Sequence, residues 1–276
     1  MKFRCNTCKA PIKATEHGYA CANGHSYTVT PEGVIDMRRE KEPAGRTGNS
    51  LEIVQSKKDF LNEGFFSILS EAIADTVSRL CDRCPNPAVI ADCCCGEGYY
   101  TRNLLEELKK SEKQVELFAF DLSKDAVHMA AEQSNGGIYA CADVYDIPLE
   151  DESVDIVLNC FGPTPDEEIA RILKPGGIFL AVIPGRMHLY AMKTALFDVP
   201  TVVDETGHIS KRLVRAKQMR VRDEIALEHT KDLENLFSMT PEMVREGEYY
   251  KEKLGTLKDL EMEIDFILQI FRKPKK

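Results

Sequence analysis

Ala88-Val89-Ile90-Ala91-Asp92-Cys93-Cys94-Cys95-Gly96-Glu97-Gly98-Tyr99-Tyr100-Thr101 reads as a buried strand that turns, through two glycines, directly into a helix. Its opening run of apolar residues suits a strand covered on both faces. Glycines in such a turn let the backbone approach a bound group closely. Asp92, at the strand end, offers a carboxylate that holds an amino group or orders the turn. Downstream, short apolar runs alternate with helical patterns. Strands are expected at 88–91, 115–120, 137–142, 154–160 and 177–183, with helices at 100–110, 124–134 and 166–173. That alternation marks an α/β protein with a parallel sheet. Segments 213–221 and 260–271 read as two later strands, which makes a Rossmann-like sheet of seven.

The strand ends form a series. Asp121, ahead of Leu122, closes the second strand, where a carboxylate takes both hydroxyls of a ribose. Asp143, with Val144 beside it, follows the third and is placed to meet an adenine amino group. The fourth ends at Asn159-Cys160-Phe161-Gly162-Pro163, at the mouth of the sheet where an acceptor would sit. An acidic residue after each of the first three strands points to S-adenosylmethionine as the ligand. The structural alternatives are loop caps for the aspartates and a plain turn for Lys174-Pro175-Gly176-Gly177. Cys93, Cys94 and Cys95 point in different directions and read as small core side chains.

The chain has 276 residues, of which 43% are hydrophobic and 29% charged, a globular balance that excludes wholesale disorder. No apolar run approaches about 18 residues and the N-terminus lacks an apolar leader, so a cytoplasmic protein with no membrane partner is expected. The ten cysteines are unusual for a reducing compartment and suggest metal ligation. Cys5, Cys8, Cys21 and His25 follow the pattern C-x2-C-x12-C-x3-H. Two such pairs supply the four donors of a structural zinc site and leave no position open for substrate. A ribbon this small needs the metal for its folding. Cys81 and Cys84 repeat the C-x2-C spacing, but no second pair lies nearby, and they are read as free thiols.

Polar residues with Pro43, Gly45 and Gly48 set a boundary, giving a zinc ribbon at 1–37, a linker at 38–50 and a body at 51–276 whose lead-in, 51–84, is helical. Gly64 divides that lead-in. The net charge of −9 splits unevenly: residues 1–46 hold eight basic and five acidic residues, the remainder 28 and 40. A basic ribbon suits either RNA recognition or a stabilising cap. Lys211, Arg212, Arg215, Lys217, Arg220 and Arg222 read equally as an RNA patch or a solvated face.

Taken together, these motifs resemble the zinc-containing 23S rRNA (guanine-N1)-methyltransferases of the RlmA type. The likeness rests on the four zinc ligands, Phe60-Leu61 with Gly64, Gly96-Glu97-Gly98-Tyr99-Tyr100-Thr101, Asp121-Leu122-Ser123-Lys124 and Pro184-Gly185 with His188-Leu189. It implies an S-adenosylmethionine-dependent fold with a structural Zn²⁺. It also implies a 23S rRNA hairpin as substrate and a homodimer. The cofactor residues implied are Phe66, Asp92, Cys94, Gly96, Glu97, Gly98, Asp121, Leu122, Asp143, Val144, Asn159 and His188. The chain departs from the family in four places. Phe66 stands for a tyrosine, Cys94 for a glycine, Lys57-Lys58 for two arginines and Asn159 for an arginine. A small-molecule methyltransferase and a weakened cofactor or RNA binder are the competing readings. No residue is assigned as the base.

Overall fold

A computed structural model describes residues 3–38, 48–134, 136–207, 210–241, 250 and 252–275. Most of the proposed linker, 39–47, lies outside them. The N-terminal segment carries three short antiparallel strands, β1 (Ile12–Thr15), β2 (Gly18–Cys21) and β3 (Ser26–Thr28). A fourth, β4 (Ile35–Asp36), leaves this small sheet and pairs in parallel with a strand of the body.

Two helices follow, α1 (Leu51–Asn62) and α2 (Ser67–Cys81). Ser50 caps α1 by accepting the Ile53 N–H, as an N-cap serine should. Each helix turns an apolar stripe inward: Val54, Phe60 and Leu61 from α1, and Leu69, Ile73 and Val77 from α2. The body then alternates β5 (Ala88–Cys93), α3 (Tyr99–Lys110), β6 (Val115–Asp121), α4 (Lys124–Glu132), β7 (Ile138–Cys141), β8 (Val154–Cys160), α5 (Asp166–Ile172) and β9 (Leu173–Pro184). It finishes with α6 (Tyr190–Leu196), β10 (Val214–Leu227), α7 (Thr230–Ser238) and β11 (Leu260–Arg272).

The large sheet has the order β10-β11-β9-β8-β5-β6-β7-β4. Its centre is parallel, and β11 and β10 pack antiparallel onto β9. The seven strands expected from sequence are therefore present. The eighth, β4, covers the edge of β7, whose backbone groups would otherwise lack partners. β5 runs two residues further than the apolar run suggested, carrying Asp92 and Cys93 into the strand. The helices α6 and α7 lie outside the expected set.

Two buried layers sandwich the sheet, one under α1–α4 and one on the opposite face. Phe3, fully buried, joins the second layer and meets Phe118 and Phe120 edge-on at ring distances of 5.2 and 6.1 Å. The strand order reverses at β5, so the C-terminal ends of β5, β6 and β8 open a crevice where such folds bind ligands. Replacing Phe3 with alanine should cost about 3–5 kcal/mol in denaturant unfolding of the whole chain. A loss under about 1 kcal/mol would show that the segment is not part of the body's core.

Candidate cofactor cleft and metal centre

Leaving β5, the backbone turns through positive φ at Cys94 (70°), Gly96 (59°) and Gly98 (88°) before α3 begins. A Cβ at Gly98 would lie 2.8 Å from that of Ala130, so glycine there lets α3 close onto α4. Cys94 adopts the left-handed backbone without being glycine. Gly162, at the end of β8, leaves room for it: a Cβ there would lie 2.6 Å from the Cys94 Sγ. The turn is fastened to the next strand end. Gly96 N–H donates to Asp121 Oδ2 (3.0 Å), and Asp121 Oδ1 accepts the Ser123 N–H (2.9 Å).

Charge is concentrated around this turn. Both carboxylate oxygens of Glu97 are buried and accept no hydrogen bond among the described residues. Lys57, from α1, brings its ammonium 3.4 Å from Glu97 Oε2. Burial works against the Lys57 charge, but Glu97 and Asp121 outweigh it and raise its pKa. Asp92 lies beneath the turn, 2% exposed, and accepts the Thr101 hydroxyl at 2.5 Å. Burial pushes its carboxyl up to about 6, against the opposing pull of Thr101 and Lys57.

These residues line one end of a cleft of about 1070 Å³. Ala142, Asp143, Val144 and Tyr145 form one side, and Cys160 to Pro163 the mouth. Phe66 and His188 face the cleft beside Phe266, with ring separations of 5.0 Å for Phe66–Phe266 and 4.7 Å for His188–Phe266. The aromatic surroundings desolvate His188 and, with Lys193, hold its pKa down at about 3. Its Nδ1 accepts the Asp265 N–H at 3.3 Å, which leaves the ring proton on Nε2. The whole turn before it is held by Asp265, which accepts from Gly185 N–H at its carbonyl (2.7 Å) and from Met187 N–H at its carboxylate (3.2 Å).

The four N-terminal donors also converge. Ligand atoms of Cys5, Cys8, Cys21 and His25 all lie within 4.8 Å of one another. Cys8 Sγ is 3.7 Å from Cys21 Sγ, and His25 Nδ1 is 3.4 Å from Cys21 Sγ and 3.6 Å from Cys5 Sγ. A tetrahedron of zinc–ligand bonds has edges of about 3.5–3.8 Å, so this donor set fits Zn²⁺. The Ala10 N–H and the Asn23 amide draw the Cys8 thiol down to about 6, toward the thiolate that metals bind.

A methyltransferase-domain family profile matches residues 90–177. Over 232 residues the chain is 30% identical to the 23S rRNA (guanine(748)-N(1))-methyltransferase of Streptomyces fradiae, covering 82% of this chain and 80% of that protein. The chain belongs to the 23S rRNA (guanine-N1)-methyltransferase family. A Bacillus subtilis (strain 168) protein provisionally given the same activity is 27% identical over 250 residues, 87% of this chain and 86% of its own. Among solved structures, the YcgJ protein of Bacillus subtilis covers 74% of this chain and 98% of itself, at 15% identity and a TM-score of 0.47. The chain is therefore an S-adenosylmethionine-dependent methyltransferase.

Of the methyltransferase residues expected to contact cofactor, Phe66, Cys94, Gly96, Glu97, Asp121, Leu122, Asp143, Val144 and His188 line the cleft. Asp92, Gly98 and Asn159 stand behind its wall. Asn159 spans its own turn, accepting the Gly162 N–H and donating to the Pro163 carbonyl, both at 3.0 Å. Phe161 lines the cleft at its mouth, where the end of the fourth strand puts it from the sequence; Lys57, Tyr100 and Lys193 line the cleft as well and were not expected there. The Lys57-Lys58 pair was the available signal for the first of these three.

Three of the six basic residues at 211–222 are ion-paired. Arg212 meets Glu167, Arg220 meets Glu205 and Asp265, and Arg222 meets Asp265. The acids at the start of α5 are occupied too. Asp166 accepts from Ser210 and Lys211, and Glu168 holds Arg171 and the Ile147 N–H. None of the three acids lines the cleft. No helix among the described residues is long and apolar enough to cross a membrane.

His188 is neutral above about pH 6.5 whether the chain is folded or not, and the folded protein resists its protonation down to about 3. Its contribution to stability is present above 6.5 and is lost progressively as the pH falls through that window. In an NMR titration, the His188 ring signals should stay unchanged from about pH 8 to about pH 5. A midpoint near the ordinary 6.5 would contradict the assignment.

Proposed function

We propose that this methyltransferase modifies N1 of a guanine in a 23S rRNA hairpin, with a structural zinc ion in its N-terminal ribbon (1–37) and the reaction confined to its body (51–276). The observation that carries the reading is the identity to an enzyme named for that reaction, spread over four-fifths of both chains. The cleft supports it residue by residue. Asp121, at the end of β6, takes the ribose hydroxyls, and Asp143 with Val144 takes the adenine. At the other end the cofactor's methionine carries both an ammonium and a carboxylate. Glu97, buried with two oxygens lacking hydrogen-bond partners among the described residues, complements the first, and the Lys57 ammonium complements the second.

Phe66 packs over the cofactor, as a ring alone can do, and His188 offers its Nε2–H to the cleft. The cofactor supplies an already activated methyl group, so the protein's task is alignment of donor and acceptor. Phe161 faces that task. It is 42% exposed, lies at the cleft mouth, and is backed by Phe266 and Tyr100 at ring distances of 5.8 and 6.4 Å. Asn159 holds the turn that presents it. A phenyl so placed stacks on an unstacked guanine and brings its Watson–Crick edge, with N1, inward. Bound S-adenosylmethionine would supply a sulfonium methyl to N1 and leave as S-adenosylhomocysteine, with the N1 proton passing to water. His188 is not the group that takes it through Nε2, because that nitrogen already carries a proton.

A methyl group on N1 blocks base pairing, so reverse transcription stops beside it. Incubating the protein and S-adenosylmethionine with unmodified 23S rRNA should produce one cofactor-dependent stop next to a guanine. Phe161→Ala should lower its rate by about tenfold to a hundredfold. Methylation at another atom, or of small molecules only, would contradict the reading.

A further inference from the structure

None of the zinc ligands lines the cleft, yet hydrogen bonds run from their segment to both flanks of the loop assigned to adenine. Lys9 is in the knuckle itself, at φ 62°, with its N–H on the Cys5 carbonyl. Its ammonium donates to the Asn6 carbonyl at 2.9 Å and to both Asp146 oxygens at 2.5 and 2.7 Å. Arg4, just before the first ligand, donates its backbone N–H to the Pro148 carbonyl at 3.0 Å.

A second route reaches the other flank. The Tyr27 hydroxyl lies 2.9 Å from Cys5 Sγ and 2.7 Å from Asn6 Oδ1. The buried Asn6 amide donates to the Met37 carbonyl, and Met37 N–H donates to the Cys141 carbonyl at 2.9 Å. Ile35 and Asp36 pair alongside with Ala140 and Cys141. Residues 142–145, which line the cleft, are thus held between Cys141 and Asp146, and the ribbon grips each of those two.

We propose that the metal centre positions the adenine loop, with Lys9 and Asp146 as the positioning residues, so that zinc and S-adenosylmethionine bind cooperatively. The inference rests on the zinc and cofactor assignments of the preceding section. Phe3 and Ile12 hold the ribbon on the body's second layer, but without the ion three thiols and an imidazole give the knuckle that carries Lys9 no closure. Both grips on the loop then loosen. Coupling between two sites is reciprocal, so bound cofactor must also retain zinc.

The test uses the full-length, zinc-loaded protein, with S-adenosylhomocysteine affinity read by calorimetry and zinc release read with a chromogenic chelator. Lys9→Met and, separately, Asp146→Ala should keep their zinc and bind S-adenosylhomocysteine about five- to tenfold more weakly. In competition with the chelator at equilibrium, saturating S-adenosylhomocysteine should tighten zinc binding by the unaltered protein by a similar factor, and so reduce its zinc release, and by less in either variant. Lys13→Met, at an exposed position of β1, should change neither reading. Asp146→Ala with full zinc and unaltered affinity, together with zinc release indifferent to the ligand, would overturn the coupling. An unaltered protein that binds no S-adenosylhomocysteine would instead overturn the proposed function.

Discussion

The hydrogen bond from the Gly96 amide to the Asp121 carboxylate, 3.0 Å long, joins the ends of the two central strands. It is made possible by a backbone that reverses through positive φ at three positions in five residues. Once β5 and β6 are tied there, the rest of the site has little freedom. Glu97 is directed into the cleft, α3 closes on α4 over Gly98, and Asp121 is fixed with its second oxygen on the Ser123 N–H. Cys94 adopts the one demanding conformation in the turn that its side chain does not favour. Its accommodation comes from Gly162 on the neighbouring strand end, so the two positions must be considered as a pair.

Buried charges in this protein fall into two kinds. Asp265 is fully buried and fully engaged, by two arginines and a backbone amide, and its pKa is held down against the cost of burial. It braces the turn that presents His188. Glu97 is equally buried, yet neither oxygen accepts a hydrogen bond among the described residues. Its charge is met by the Lys57 ammonium 3.4 Å away, and nearby Asp92 is pushed up to about 6 by desolvation. The frame is satisfied by hydrogen bonds, whereas Glu97 is met only by the Lys57 ammonium. That difference underlies the proposal that the ligand's ammonium completes the site.

Much of this was legible in the sequence because it is local. The C-x2-C-x12-C-x3-H pattern carries its geometry in its spacing, and the three strand-end carboxylates follow from where apolar runs stop. What escaped is set by tertiary contact. β4 is two residues long and exists because the β7 edge needs a partner. Lys57 reaches the cleft from α1, and the Lys57-Lys58 pair marked the position without showing that it meets Glu97. Asp265 interrupts an apolar strand, a visible anomaly, but its partners Arg220 and Arg222 belonged to a basic run that read as an RNA patch or a solvated face. The ribbon's role was open between recognition and support, and its bonds to residues 141–148 favour support.

The central claim is that Glu97 and Lys57, which face each other beside the turn, separate to receive the cofactor's methionine. A crystal structure with S-adenosylhomocysteine tests it most directly. The account predicts the ammonium on Glu97, the carboxylate on Lys57 and the ribose on Asp121. A complex in which Lys57 and Glu97 remain paired with each other, and the methionine lies elsewhere, would contradict it.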